Sequence, residues 1–176
     1  CEKVEVGSNR VELENPDGLL LEMDNHYGTA EPYYFATAKS GTIFTLKDSV
    51  KAADSPEVQQ AFADVQADIN ELEALLYADD PDWVAISEII EVDSFVKRYF
   101  IDEFAKNIEI GMSSIYFYKD GASDKLHAGP VWDYDLSLGN IARGTATEDY
   151  AKNFALQVEN GIVRNDWYAQ LCRNEE

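Results

Sequence analysis

Apolar and polar positions alternate first at Val4 and Val6, then at Val11 and Leu13 beyond a Gly7-Ser8-Asn9 turn, so the opening stretch is predicted to be a β-hairpin. A second turn at Asn15-Pro16-Asp17-Gly18 leads into Leu19-Leu20-Leu21-Glu22-Met23-Asp24, a run that predicts a buried strand ending in carboxylates. Tyr33 to Ala38 and Thr42 to Leu46 are two β-rich runs around Lys39-Ser40-Gly41. They predict a further hairpin that delivers Lys47 at its end. The N-terminal third is therefore expected to be mostly sheet.

The period then changes. Ser55-Pro56-Glu57 combines a capping hydroxyl with proline at the first helical position, where a missing N–H is no loss. Val58, Phe62, Val65, Ile69, Leu72 and Leu76 follow at three- and four-residue steps and mark one face of an amphipathic helix. After Asp79-Asp80-Pro81-Asp82 a short helix is predicted from Trp83 to Ile90, then a longer one capped by Asp93. Phe95, Val96, Tyr99, Phe100 and Phe104 give that longer helix a broad aromatic face, expected to lie in the core. It should end near Lys106-Asn107. Ser114 to Lys119 and Leu126 to Trp132 read as strands of a hairpin around Asp120-Gly121, with the acidic segment Trp132-Asp133-Tyr134-Asp135 behind the second. Beyond Gly139-Asn140 the chain is polar until a helix predicted from Trp167 to Cys172. The order of elements is α+β: sheet, helices, hairpin, acidic loop.

Composition narrows what such a chain does. With 176 residues, 45% hydrophobic and 12% aromatic, it carries apolar material for one core, and a single domain over 1–176 is expected. The Cys1-Glu2-Lys3 start and the Arg173-Asn174-Glu175-Glu176 end lead us to expect a piece of a longer protein, cut at both ends. The 34 acidic residues against 14 basic ones leave a net charge of −20, which repels the backbone of DNA or RNA and anionic lipid surfaces. No window approaches the ~18 apolar residues of a membrane span. Cys1 and Cys172 stand at opposite ends without zinc-type spacing. An acidic surface is nevertheless compatible with ATP, because carboxylates are the groups that hold Mg²⁺. The sequence carries no signal of oligomeric state.

Phosphoryl transfer needs hard oxygen ligands for a metal, a carboxylate to orient the attacking hydroxyl and usually a lysine on the phosphates. In protein kinases one carboxylate and, five residues later, an Asn precede a β-hairpin, and the metal-binding Asp follows it. Here Glu109 precedes the predicted hairpin, Ser114 stands five residues beyond it, and Asp133 follows. Lys3 and Lys47 are candidates for the phosphates, with Glu22 as a partner for one of them. His26 and His127 have no supporting neighbours and are left unassigned. Asn107 and Asn140 flank the site as polar contacts or as turn residues. Taking Glu109 and Asp133 as the acid and base of a glycosidase is weaker, because the aromatics fall at predicted core positions and not in loops that would stack a sugar.

Gly129-Pro130-Val131-Trp132-Asp133-Tyr134-Asp135, followed by Leu136-Ser137-Leu138-Gly139-Asn140, resembles the signature of the CotH kinase family. Three more segments fit that family in order: Glu2 to Val11 as an early strand-turn-strand, Gly18 to Asp24 as the next core strand, and Phe100 to Asn107 as the helix leading into the catalytic loop. The resemblance implies an atypical protein-kinase-like fold on secreted, cell-surface or spore-coat bacterial proteins. The implied activity is phosphorylation of Ser residues of a Ser-rich partner protein by ATP with Mg²⁺ or Mn²⁺. By the same resemblance Asp133 is the metal ligand and Asp135 a second ligand or its support. Glu109 then takes the place of the Asp that accepts the hydroxyl proton, and Ser114 the place of a metal-binding Asn. Those two departures leave a second reading, a catalytically silent member that serves as a binding or scaffolding module of a secreted assembly.

Overall fold

The computed structural model describes residues 3–107, 109–140 and 165–173. Cys1 and the polar stretch over 141–164 lie outside the described residues. The apolar run at 19–23 forms β1 (Leu19–Met23), joined by β2 (Tyr34–Ala36), β3 (Ile43–Ser49), β4 (Ile115–Lys119) and β5 (His127–Ala128). Among the described residues these make one five-stranded sheet in the order β2-β3-β1-β4-β5, with every pairing antiparallel. All five residues of β1 are buried because both faces of the strand are covered.

Alternation along the strands divides the core. Leu19, Leu21, Met23, Phe44, Leu46, Ile115 and Phe117 face the helices, while Leu20 and Tyr116 face the N-terminal segment. The helices are α1 (Pro56–Leu76), α2 (Trp83–Ile89), α3 (Val92–Ala105) and α4 (Trp167–Leu171). The architecture is α+β, as expected. Ser55 caps α1 by accepting the Val58 amide, and Pro56 stands at its first turn, so this helix begins where its sequence says it should. Every apolar position of its predicted stripe is buried, and Glu73 is buried with them. That carboxylate accepts the Ser40 amide and hydroxyl at 3.1 and 2.7 Å and the Trp167 indole N–H at 2.9 Å, tying the β2–β3 turn to α1 and α4.

Five expectations need correction. The opening hairpin is not part of the sheet: Val6 and Val11 form one isolated bridge, and the Val6 amide is taken by the Asp48 carboxylate at 2.8 Å instead of by a neighbouring strand. Val4, Val6 and Val11 still pack onto Leu20 and Tyr116, so their apolar spacing describes a cover for the sheet's second face. β3 continues to Ser49 by pairing across a register shift with Leu20 and Leu19, which places Lys47 inside the strand and not at its end. The strand predicted over Leu126–Trp132 pairs only at His127–Ala128, because Pro130 has no N–H to extend the ladder. α3 is capped by Glu91, whose carboxylate accepts the Ser94 amide at 2.7 Å, and Asp93 lies within its first turn.

The fifth correction concerns the aromatic face of α3. Phe95 is buried, but Phe100 is 65% and Phe104 85% exposed. The buried stripe of this helix is Phe95, Arg98, Asp102 and Ala105, so an ion pair occupies the inward positions that apolar residues were expected to fill.

Candidate metal centre

Glu109 follows α3 in a loop held by several hydrogen bonds among its described residues. Lys106 ends the helix in a left-handed conformation, and the Asn107 amide returns to the Asp102 carbonyl at 2.9 Å. The Asn107 side chain then accepts the Glu109 amide at 3.0 Å, and the Met112 amide closes a turn onto the Glu109 carbonyl at 2.8 Å. Gly111 takes φ +75° with the Asn165 carbonyl packed against it, where a Cβ would meet that oxygen at 2.1 Å. The Asn25 amide reaches the Met112 carbonyl at 2.8 Å, which fastens this loop to the end of β1.

Asp133 and Asp135 come from the segment after β5. One oxygen from each of Glu109, Asp133 and Asp135 lies within 4.8 Å of the others, with Glu109 half-buried and the two aspartates exposed. The Ser114 hydroxyl donates to Asp133 Oδ2 at 3.2 Å, and Ser113 donates to Glu109 Oε1 at 3.4 Å. Three carboxylates this close repel by about 1 kcal/mol per pair in water and by several at less polar sites. A cation removes that repulsion, and an all-oxygen donor set of carboxylates with a neighbouring hydroxyl fits Mg²⁺ or Mn²⁺. Lys106, Ser114, Asp133 and Leu138 all hold positive φ of 54°, 55°, 59° and 54° around this trio. Side chains other than glycine adopt that backbone at a cost, and its concentration here follows the pattern of sites built for function.

The other expected residues divide into two groups. Lys47 Nζ pairs with Glu22 at 2.6 Å, the carboxylate being 9% exposed. Lys3 instead turns to Glu5 at 3.4 Å and stays largely exposed, outside that pair. Asn107 is buried and holds the loop, and Asn140 donates to the Asp135 carbonyl at 2.6 Å, so both serve the backbone around the trio. His26 stacks on Tyr27, while His127 stacks on Tyr118 and pairs with Asp124 at 3.1 Å.

Nothing in the sequence pattern sets Tyr116 apart from the other residues of its strand. Its phenol is held well above the ordinary tyrosine range by burial, then by the charge and hydrogen bond of Glu22 and the nearby charges of Asp133 and Asp24. Tyr116 lies opposite Glu22 in the β1–β4 register, and Trp132 packs against its cluster, so the Glu22–Lys47 pair and the start of the acidic segment meet on the sheet's second face. An aromatic in an alternating strand reads as core, so only the acidic residues at 22, 24 and 133 hint at its surroundings.

No helix among the described residues is long and apolar enough to cross a membrane. A search of curated proteins and a search of solved structures each found no match. A family model described as CotH kinase protein matches residues 1–176. Kinases as a class use ATP and a divalent metal, and the convergent carboxylates suit such a metal. The chain belongs to the CotH kinase family.

Proposed function

We propose that this domain is a metal-dependent protein kinase with an atypical kinase-like fold, transferring the γ-phosphoryl group of ATP to Ser or Thr hydroxyls of a surface or spore-coat protein. The observation that carries this reading is the convergence of Glu109, Asp133 and Asp135 within 4.8 Å, from two segments on either side of a hairpin. Asp133 and Asp135 hold the cation, with the Ser114 hydroxyl beside them. Mg²⁺ or Mn²⁺ bound there supplies positive charge against the phosphates. Glu109 orients the acceptor hydroxyl and takes its proton as the oxygen bonds to the γ-phosphorus, the bond to the β–γ bridging oxygen breaks, and ADP departs with that electron pair. Glu22 positions the Lys47 ammonium for the nucleotide phosphates through their 2.6 Å pair.

The test is label transfer. The protein is incubated with Mg²⁺ or Mn²⁺, ATP labelled at the γ-phosphate and a Ser-rich acceptor protein. Labelled acceptor is expected from the wild type and none from Asp133→Ala. Transfer that survives Asp133→Ala contradicts the assignment of the metal site. Calorimetry that finds no binding of metal and nucleotide by the wild type, while a partner protein is retained, supports the silent scaffolding module instead, the reading that the Glu109 and Ser114 departures favour.

A further inference from the structure

The two segments that build the carboxylate trio meet again beneath it, at one buried side chain. Asp102, on the inward stripe of α3, has no exposed surface. Its Oδ2 accepts Arg98 Nε at 2.8 Å, and its Oδ1 accepts Asn107 Nδ2 at 2.9 Å and the Tyr134 hydroxyl at 2.5 Å. Each donor leads onward. Asn107 Oδ1 accepts the Glu109 amide at 3.0 Å. Tyr134 lies between Asp133 and Asp135 in the chain. Arg98 Nη1 donates to the Pro130 carbonyl at 3.2 Å, at the start of the same acidic segment. The Leu138 amide closes the segment's far end onto the Ala105 carbonyl of α3 at 2.7 Å.

A charged pair this deep is an unusual way to stabilise a helix, because the desolvation of two ions offsets most of their attraction. What the pair does supply is direction. A carboxylate offers about four acceptor sites in fixed positions, and here three of them hold three groups from three stretches of chain. We infer that Asp102 is a positioning residue that sets the separation between Glu109 and the Asp133–Asp135 pair. Through Asn107 it fixes one side of the trio, and through Tyr134 and Arg98 the other, so the two sides move together. This inference rests on the trio being the metal site, but the linkage itself is a property of the metal-free chain.

Tyr134→Phe tests the linkage. Asp102→Ala leaves Arg98 buried without its partner and is a poor probe because it threatens the fold, whereas Tyr134→Phe removes one hydroxyl and keeps the ring. Amide hydrogen exchange of the metal-free protein is the deciding readout. The Glu109 amide, in a different segment from the substitution, is expected to exchange roughly fivefold faster, the factor carried by one lost hydrogen bond, with the amides of β1 unchanged. A purely local role for Tyr134 confines the change to residues 130–138, and that result overturns the inference. Mn²⁺ affinity of the same variant is expected to fall about tenfold, the usual size for loss of a group that orients a metal ligand. A wild type that fails to bind Mn²⁺ contradicts the proposed function and leaves the exchange of Glu109 to decide the linkage alone.

Discussion

Asp133 combines a left-handed backbone with a carboxylate crowded by two others, and both features make it costly in the metal-free protein. Asn tolerates the same φ and carries no charge. Asp133→Asn is therefore expected to leave stability unchanged or raise it by about 0.5–1 kcal/mol, as relief of like-charge repulsion near the surface dictates, while abolishing Mn²⁺ binding. Thermal unfolding of both proteins without metal checks the sign, and a clear loss of stability contradicts it. Asp124 is the opposite case, a carboxylate that is well served. Burial raises its pKa, but the Asp120 amide, the His127 ring and the Lys125 amide outweigh this and hold the group below the ordinary range. A lowered pKa contributes stability that is present above the unfolded value of about 4 and is lost as the pH falls through the folded one. Asp124→Asn should therefore be less stable than wild type at pH 7, and the gap should close below about pH 4. A gap that persists in acid assigns the effect to packing.

Strands and helices differ in how openly their residues announce them. α1 is legible because its period, its Ser55 cap and Pro56 all agree with its burial. β1 is legible because a short apolar run bounded by turns suits a strand covered on both faces. α3 misleads because its inward positions belong to Arg98 and Asp102, whose partners Pro130 and Tyr134 each lie 32 residues away from their own contact. No local pattern encodes that, so spacing alone assigns the core to the aromatic residues. The loop from Glu109 to Ser114 gave its carboxylate and hydroxyl through spacing, but not its anchorage to Asn25 and Asn165, which only the folded chain brings near. Gly111 is the point where that anchorage is tightest. Gly111→Ala meets both φ +75° and the Asn165 carbonyl, and is expected to cost about 2 kcal/mol or more, beyond the usual ~1 kcal/mol of a left-handed alanine. Denaturant unfolding measures this, and a loss under ~0.5 kcal/mol places the Asn165 contact in a region that yields freely.

At the scale of the molecule, the sheet separates two tasks. One face is packed by the helices through Phe44, Phe117, Phe95 and Trp167, and this apolar layer provides the rigidity. The other face, thinly covered by Val4, Val6 and Val11, carries Glu22, Lys47 and Tyr116 toward the acidic segment. A net charge of −20 surrounds this arrangement, so an anionic nucleotide approaches favourably only together with its cation. The most direct measurement is anomalous X-ray diffraction from crystals of the protein grown with Mn²⁺ and a non-hydrolysable ATP analogue. The account predicts a manganese peak at the carboxylate oxygens of Asp133 and Asp135, beside Glu109, absent in Asp133→Asn; a peak elsewhere, or one that survives that substitution in place, contradicts it.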